Sequence, residues 1–555
     1  MKSNIYPVKI TAKSEGIENA ETLLQEKRLQ IGLSEPDTVQ IKGGGYLILD
    51  FGREQSGGIR ILTHGANGDK RVRLRFGESL SETCAELGEK NATNDHSNRD
   101  FTVELQNYSD MTFGNTGFRF VRLDFLGKDS GFGIKSIVAA SDEDEREEVG
   151  RFECDDPVIN EIWNTASRTL RLCLHNGYFW DGVKRDHLVW IGDLYPEMRS
   201  AFCLYKNTSE TENSLIFAKE QTPLPGWINE IPMYSMWWLI ILSENYFQGG
   251  DRKFAEEQLP YVQGLLEQLG KYIREDGSTS FSNNFIDWPT HYEEGGDERK
   301  AYDELAGVNY LFRIALNATS KLLRALDKDD GICEKMTEKL KRKSYEVKAY
   351  KQIAALGVWA GEKTEHNYRL ITEGGAAGVS TFMSYPILSA VAEYGEYDKA
   401  FAILKEYYGD SPDAKAHINE LKDNPSTILC LYEEYLKTHD PIDDRPDVKV
   451  SDDEKEDEKD IHGDYGAFCY TGFRHSLCHG WASGVIAYLT ETVLGINPTG
   501  IGGQRIKIEP HLSGLKHVKG SYPCGNGVLE VEYMVNEKGE IESRIIAPVG
   551  IELVK

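Results

Sequence analysis

DPVINEIWNTASRTL, residues 156–170, marks the point where the chain changes its periodicity. Asp156 suits an N-cap, where its carboxylate accepts from free backbone N–H groups. Pro157 suits the first helical position, where no amide is needed. Val158, Ile159, Ile162, Trp163, Ala166 and Leu170 follow at helical spacing. From here to about residue 495 helical stripes dominate. Phe254, Leu259, Val262, Leu265, Leu266 and Leu269 form one. Leu305, Val308, Leu311, Phe312, Ala315, Leu316, Leu322 and Leu323 form another. Roughly ten to twelve such segments exceed a four-helix bundle and leave a solenoid or a closed toroid of helical hairpins. No fixed-period repeat is visible, so the expectation is a closed toroid of helical hairpins with loops at one end available to build a site.

Upstream, the pattern is that of strands. YLILDFG (46–52), GGIRILTHG (57–65), RVRLRFGE (71–78), DFTVELQNY (100–108) and FRFVRLDFLG (118–127) are rich in β-branched and aromatic residues and punctuated by Gly, Asn and Asp. SDEDEREEVG (141–150) reads as a charged linker. After about residue 495 the β pattern returns in QRIKIEP, VLEVEYMV and SRIIAPVGIELV. The expected organisation is an N-terminal β-sandwich over 1–148, a helical domain over 149–495 and a small C-terminal β unit over 496–555. DPIDDRPDVKVSDDEKEDEKD (440–460) is nearly all charge and Pro and reads as a solvated surface loop.

At 555 residues the chain exceeds one ordinary core, and 40% hydrophobic with 10% aromatic residues supply enough to bury. A net charge of −27 argues against nucleic acid and anionic membranes as partners, and leaves a neutral substrate such as a sugar compatible. The nine cysteines contain no CxxC pair, so buried free thiols in a reducing compartment are expected rather than a disulfide framework or a zinc site. No apolar h-region opens the sequence, and the longest apolar run, MWWLIIL (236–242), is short for a membrane span. A soluble, cytoplasmic protein without a cofactor is the expectation. Oligomeric state is left open.

YFWDGVKRDHLVWIGDL (178–194) crowds Asp181, Lys184, Arg185, Asp186, His187 and Asp193 among aromatic and apolar residues. Asp–Arg pairs could simply tie down a loop, and tryptophans can be ordinary core. Density favours a sugar site. Sugar C–H faces stack on rings, carboxylates bind hydroxyls, and an apolar wall raises a carboxyl pKa so that it acts as an acid. FIDWPTHYEEGGDE (285–298) sets Asp287 beside Trp288, with His291, Glu293 and Glu294 near. Trp237 and Trp238, at helical spacing, read as core. TILCLYEEYLKTHD (427–440) carries adjacent Glu433 and Glu434, of which one is expected to face inward. DIHGDYGAFCYTGFRHSLCHGWASG (460–484) holds His462, Asp464, His475, Cys478, His479 and Trp481. Its spacing fits no usual zinc pattern, and a Cys478–His nucleophile is a weak alternative.

DGVKRDHLVWIGD (181–193) resembles the catalytic segment of the glycoside hydrolase family 78 α-L-rhamnosidases, where a DGxKRDRxxWxGD form recurs. ILDFGREQSGGIRI, FGESLSE, GFRFVRL, STFMSYPILSAVAEYGEYDKAFAIL (380–404) and the 460–484 stretch are similar to that family in the same order. The resemblance covers roughly residues 45–520 and implies two β-sandwiches flanking an (α/α)6 toroid. It also implies hydrolysis of a terminal α-L-rhamnosyl residue, on a small glycoside or an oligosaccharide, with inversion. By the same resemblance Asp186 is the general acid and Glu433 the general base, the latter in a segment similar to TTFWEDF. Asp181, Arg185 and Asp193 bind the sugar, Trp190 forms an apolar wall, His479 helps hold the sugar, and Asp287 and Trp288 contribute to the pocket. Arg185 is expected to pair with Asp181, leaving Asp186 in the drier place. His187 and Tyr432 depart from the family pattern. The alternatives are another toroid glycosidase or lyase acting on a different deoxy-sugar or uronate, and a non-catalytic carbohydrate-binding relative.

Overall fold

A computed structural model describes residues 3–184, 186–206, 208–291, 296, 298–410, 472–474, 476, 478–525 and 527–554. Arg185, Glu293, Glu294, Tyr432, Glu433, Glu434, His462, Asp464, His475 and the charged stretch 440–460 lie outside the described residues.

The N-terminal β pattern folds as one nine-stranded antiparallel sheet. Its main path runs Ile17–Glu18, Val39–Lys42, Gly131–Ser141, Gly45–Asn67, Ser109–Phe125, Arg71–Gly77 and Asp100–Glu104. The two strands expected at 46–52 and 57–65 are a single strand, Gly45–Asn67. Register breaks between Asp50 and Gln55 and between Gly57 and Ile59 let it bend without leaving the sheet. Gly58 is required there, because a Cβ would stand 2.2 Å from the Phe113 carbonyl oxygen. Leu47, Leu49, Ile59, Ile61, Leu74, Phe76, Phe118 and Val121 fill the core. The alternation of RVRLRFG supplies Val72, Leu74 and Phe76 to it.

The helix Pro157–Leu172 begins as its sequence dictates, with the Val158 N–H donating to Asp156 Oδ1 at 2.9 Å. Ile159, Ile162, Ala166 and Leu170 are fully buried on one face. Ten further helices follow up to Lys405 among the described residues, from Ile191–Leu204 to Tyr397–Lys405. Among them, Pro232–Gly249 packs against both Ile191–Leu204 and Glu298–Ala325. Trp237 and Trp238 are core residues of it. Along Glu298–Ala325 the stripe is buried from Val308 to Leu323, whereas Leu305 at its head is 36% exposed.

The charged linker is tied down by its own charges. Arg146 bonds Asp144 and Glu210, and Glu143 meets Arg168 and Arg171. Beyond it, Arg151–Cys154 pairs with His517–Cys524, in a sheet continued by Gly527–Val535 and Ile541–Ile546. A strand that precedes the first long helix in sequence thus belongs to the C-terminal sheet. Phe152, Val518, Tyr522 and Val531 share one continuous core with the helices. The result is a helical region joined to β sheets at both ends of the chain. Seven cysteines (84, 154, 173, 203, 333, 478 and 524) are free and buried. No helix among the described residues is long and apolar enough to cross a membrane.

Candidate active site

The segment 178–194 lies between the N-terminal sheet and the helices. Trp180 is sandwiched by His175 (ring centroids 3.9 Å) and His187 (4.4 Å). His175 reaches the sheet through Ser56 Oγ at 2.9 Å. His187 Nε2 lies 2.7 Å from the Val183 carbonyl, so that nitrogen carries the donated proton. Burial lowers the His187 pKa, against the pull of that bond and of Asp186. Asp186 and His187 both adopt left-handed backbone conformations, with φ of +65° and +55°. Such strain in consecutive non-glycine residues needs surrounding structure to hold it. Asp181 closes the loop twice: its N–H donates to the Leu188 carbonyl, and its Oδ1 accepts from the Leu188 N–H at 3.0 Å.

Lys184, between these residues, points into the N-terminal region. Its Nζ lies 3.2 Å from Glu78 Oε2 and 3.2 Å from Glu82 Oε1, and donates to the Phe473 carbonyl at 2.8 Å. The Thr116 hydroxyl donates to the Lys184 carbonyl at 2.9 Å. The motif's lysine is therefore an anchor.

On the other side the carboxylates gather. Trp190 precedes the helix Ile191–Leu204, and Asp193 sits in its first turn. Gly192 lets Tyr234 approach, since a Cβ there would be 2.6 Å from the Tyr234 ring. The backbone of Gly182 bridges to His479, and the Gly480 N–H donates to the Asp181 carbonyl at 2.8 Å. His479 Nδ1 stands 3.8 Å from Asp193 Oδ1 and its ring stacks on Trp481 at 4.3 Å. Asp287 is fully buried. It accepts from the Trp288 N–H at 2.8 Å and from the Ser380 hydroxyl. Rings connect the two segments: Trp190 to Tyr234 (5.9 Å), Tyr234 to Phe285 (6.0 Å) and Phe285 to Trp288 (5.1 Å).

Burial dominates the electrostatics. It pushes Asp193 up to about 8, with the Asp186 and Asp287 charges adding to it and a Tyr234 hydrogen bond opposing. It pushes Asp287 up to about 7, against the Ser380, Trp288 and Gln352 hydrogen bonds. Asp181 is raised well above the usual carboxylate range by burial and then by Asp193 and Asp186. Near neutral pH Asp193 keeps its proton and Asp287 titrates, so each can donate a hydrogen bond as well as accept one.

Of the residues expected from sequence, Asp193 and His479 come together directly, while Asp181, Asp186 and Asp287 interact with Asp193 electrostatically. Trp190 and Trp288 belong to the one aromatic line. The expected Arg185–Asp181 pair and the base Glu433 fall outside the described residues. Cys478 is buried beside Cys173, with no exposed thiol to serve as nucleophile. Sequence reasoning missed Glu197. It is buried one helical turn after Asp193, raised by burial and then by Asp193 and Asp181, with Oε1 unpartnered. Its i,i+4 spacing from Asp193 was the available signal. Among the described residues no group of three or more His, Cys, Asp or Glu side chains is arranged to hold a metal.

Comparison with known families adds two matches. Residues 147–356 match the bacterial α-L-rhamnosidase 6 hairpin glycosidase domain, and residues 41–140 match the bacterial α-L-rhamnosidase concanavalin-like domain. Together they span more than half of the chain. The chain belongs to the bacterial α-L-rhamnosidase family. No curated protein matches it. Solved α-L-rhamnosidases share its fold. The family 78 rhamnosidase of Bacillus sp. GL1 superposes with a TM-score of 0.72 at 18% identity, covering 96% of this chain and 55% of that one. For the α-L-rhamnosidase from Dictyoglumus thermophilum the values are 0.66, 17%, 99% and 58%. For the rhamnosidase from Klebsiella oxytoca with rhamnose bound they are 0.63, 15%, 88% and 95%. The chain thus spans little more than half the length of the first two relatives and nearly all of the third.

Proposed function

We propose that this protein is an inverting exo-glycosidase that removes terminal α-L-rhamnosyl residues from small glycosides or oligosaccharides. The observation that carries the reading is the set of buried carboxyl groups, Asp181, Asp193 and Asp287, held with raised pKa values beside Asp186 and an aromatic line. Such a constellation costs stability in the free protein and marks a candidate site for a polyhydroxylated ligand. The family membership and a solved relative with rhamnose bound point to the sugar. In this reading the helices close into an (α/α)6 toroid between two β-sandwiches, and the loops at its mouth take the sugar.

The chemistry follows from the residues. Asp186 protonates the glycosidic oxygen as the C1–O bond breaks. Glu433 takes a proton from the water that attacks C1 on the opposite face, giving the inverted sugar. Asp181, Arg185, Asp193 and His479 bind ring hydroxyls, with protonated Asp193 able to donate. Trp190, Asp287 and Trp288 shape the wall against which the apolar sugar face packs.

D186N tests the assignment. On an aryl α-L-rhamnoside, turnover is expected to fall about 10²–10⁴-fold, the usual worth of a general acid, with rhamnose binding retained. Full residual turnover would reject Asp186. Wild-type activity confined to other aryl glycosides, or to none, would reject the rhamnosidase reading.

A further inference from the structure

One contact at this site comes from outside the helical region. His96 Nδ1 lies 2.8 Å from Asp186 Oδ1, and the Asp186 side chain is only 4% exposed. His96 belongs to the loop between Glu89–Asn91 and the strand Asp100–Glu104 of the N-terminal sheet. We infer that His96 is a positioning residue for Asp186, supplied by the N-terminal β region to fix the carboxyl group that protonates the leaving oxygen. This rests on the reading of Asp186 as the general acid.

The loop is built to hold an imidazole in place. Asn94 Oδ1 accepts from the N–H groups of Arg99 and Asp100 at 3.1 Å each, and its amide donates to the Asp100 carbonyl at 2.8 Å. Ser97 donates to the Asn115 carbonyl at 2.9 Å. Buried Arg99 donates to the carbonyls of Phe76, Glu82 and Ala85. Between these ties His96 is left-handed, with φ +65°, the same uncommon conformation as its partner Asp186. Two strained non-glycine residues meeting at one hydrogen bond suggest that the contact itself is worth the strain.

The far side of the ring is also fixed. His96 Nε2 lies 3.3 Å from Asp95 Oδ1, while Arg474 grips Asp95 Oδ2 through Nε and Nη2 at 2.8 and 2.5 Å. Arg474 follows Phe473, whose carbonyl receives Lys184 two residues before Asp186. The line Arg474–Asp95–His96–Asp186 therefore orients the ring, and the ring orients the acid.

The proton balance is simple. With the Nδ1–H donating to Oδ1, the transferable proton belongs on Oδ2. When Asp186 gives that proton to the departing oxygen, the glycosidic bond breaks, and the carboxylate left behind keeps the imidazole N–H at Oδ1. The ring itself loses no proton. Its contribution grows as charge develops on Asp186, which is when stabilisation accelerates the step.

The test compares H96A and H96N with wild type on two rhamnosides that differ in their need for acid: one with a dinitrophenyl leaving group, one with an alkyl leaving group. For H96A, kcat on the alkyl rhamnoside is expected to fall about 10–100-fold, typical for loss of an outer-shell partner. The dinitrophenyl rhamnoside, whose leaving group departs without protonation, should be cleaved within a few-fold of wild type, with KM nearly unchanged on both. H96N, which keeps a side-chain donor, should recover part of the alkyl activity. Equal losses on both substrates, or none on either, would overturn the role of His96 while leaving the activity in place. A wild-type protein that cleaves neither rhamnoside would instead remove the reading of Asp186 beneath it.

Discussion

Two clusters of buried titratable groups flank the segment 181–193, and they are built on opposite principles. On the N-terminal side, buried Lys184 is met by Glu78 and Glu82 and by a carbonyl, so its charge is matched. The net effect of burial and those glutamates is a raised lysine pKa. On the helical side, Asp181, Asp193, Glu197 and Asp287 are buried with no Lys or Arg ion pair among the described residues, and every one has a raised pKa. Matched charge holds a structure in place. Buried carboxyl groups that keep their protons can donate as well as accept, which suits a site more than a structural tie.

The comparison can be broken by changing either side. K184M should have the largest effect, because it leaves Glu78 and Glu82 buried without their cation. A loss of about 3–5 kcal/mol in chemical denaturation is expected, as for breaking other buried pairs. An unfolding free energy within experimental error of wild type would show that the anchor carries no weight.

Next comes G480A. The added Cβ would stand 1.8 Å from Glu197 Oε1 and must displace a buried side chain. Overpacking of this kind costs about 1–3 kcal/mol. The double variant G480A/E197A should recover much of that loss, and additivity of the two single changes would deny the contact.

D193N sharpens the comparison through pH. The folded pKa of Asp193, about 8, lies above its unfolded value of 3.8. The folded chain therefore keeps a proton that the unfolded chain gives up. Its contribution is fully present below pH 3.8, diminishes as pH rises and is gone above about 8. Removing the titrating group should flatten the fall in melting temperature between pH 5 and pH 8.5. An unchanged slope would mean that Asp193 is ionised in the folded protein.

The sequence carried much of this. Asp156-Pro157 marked the first helix to the residue, and period-2 alternation placed Arg71–Gly77 as a strand. Both signals are local, because caps and pleats are set by neighbours along the chain. Strand Gly131–Ser141 escaped notice because GFGIKSIVAAS mixes small residues and glycine into its β-branched run. The family motif marked Asp181, Asp186 and Asp193, because all three lie in one short recognisable segment. The pairing of Arg151–Cys154 with His517–Cys524 could not be read, for no local pattern encodes a partner so far along the chain.

What the sequence by itself determined was the alternation of β and helical regions, the clustering of carboxylates among aromatics, and the family resemblance. What only the tertiary structure decided was the use of each charge. Lys184 and Asp186 are two residues apart, yet one is an anchor met by glutamates and the other meets an imidazole from a distant loop. Glu197 joined the cluster only when folding removed its water. A carboxyl group's pKa depends on what surrounds it in space, and those surroundings come from residues far apart in the chain.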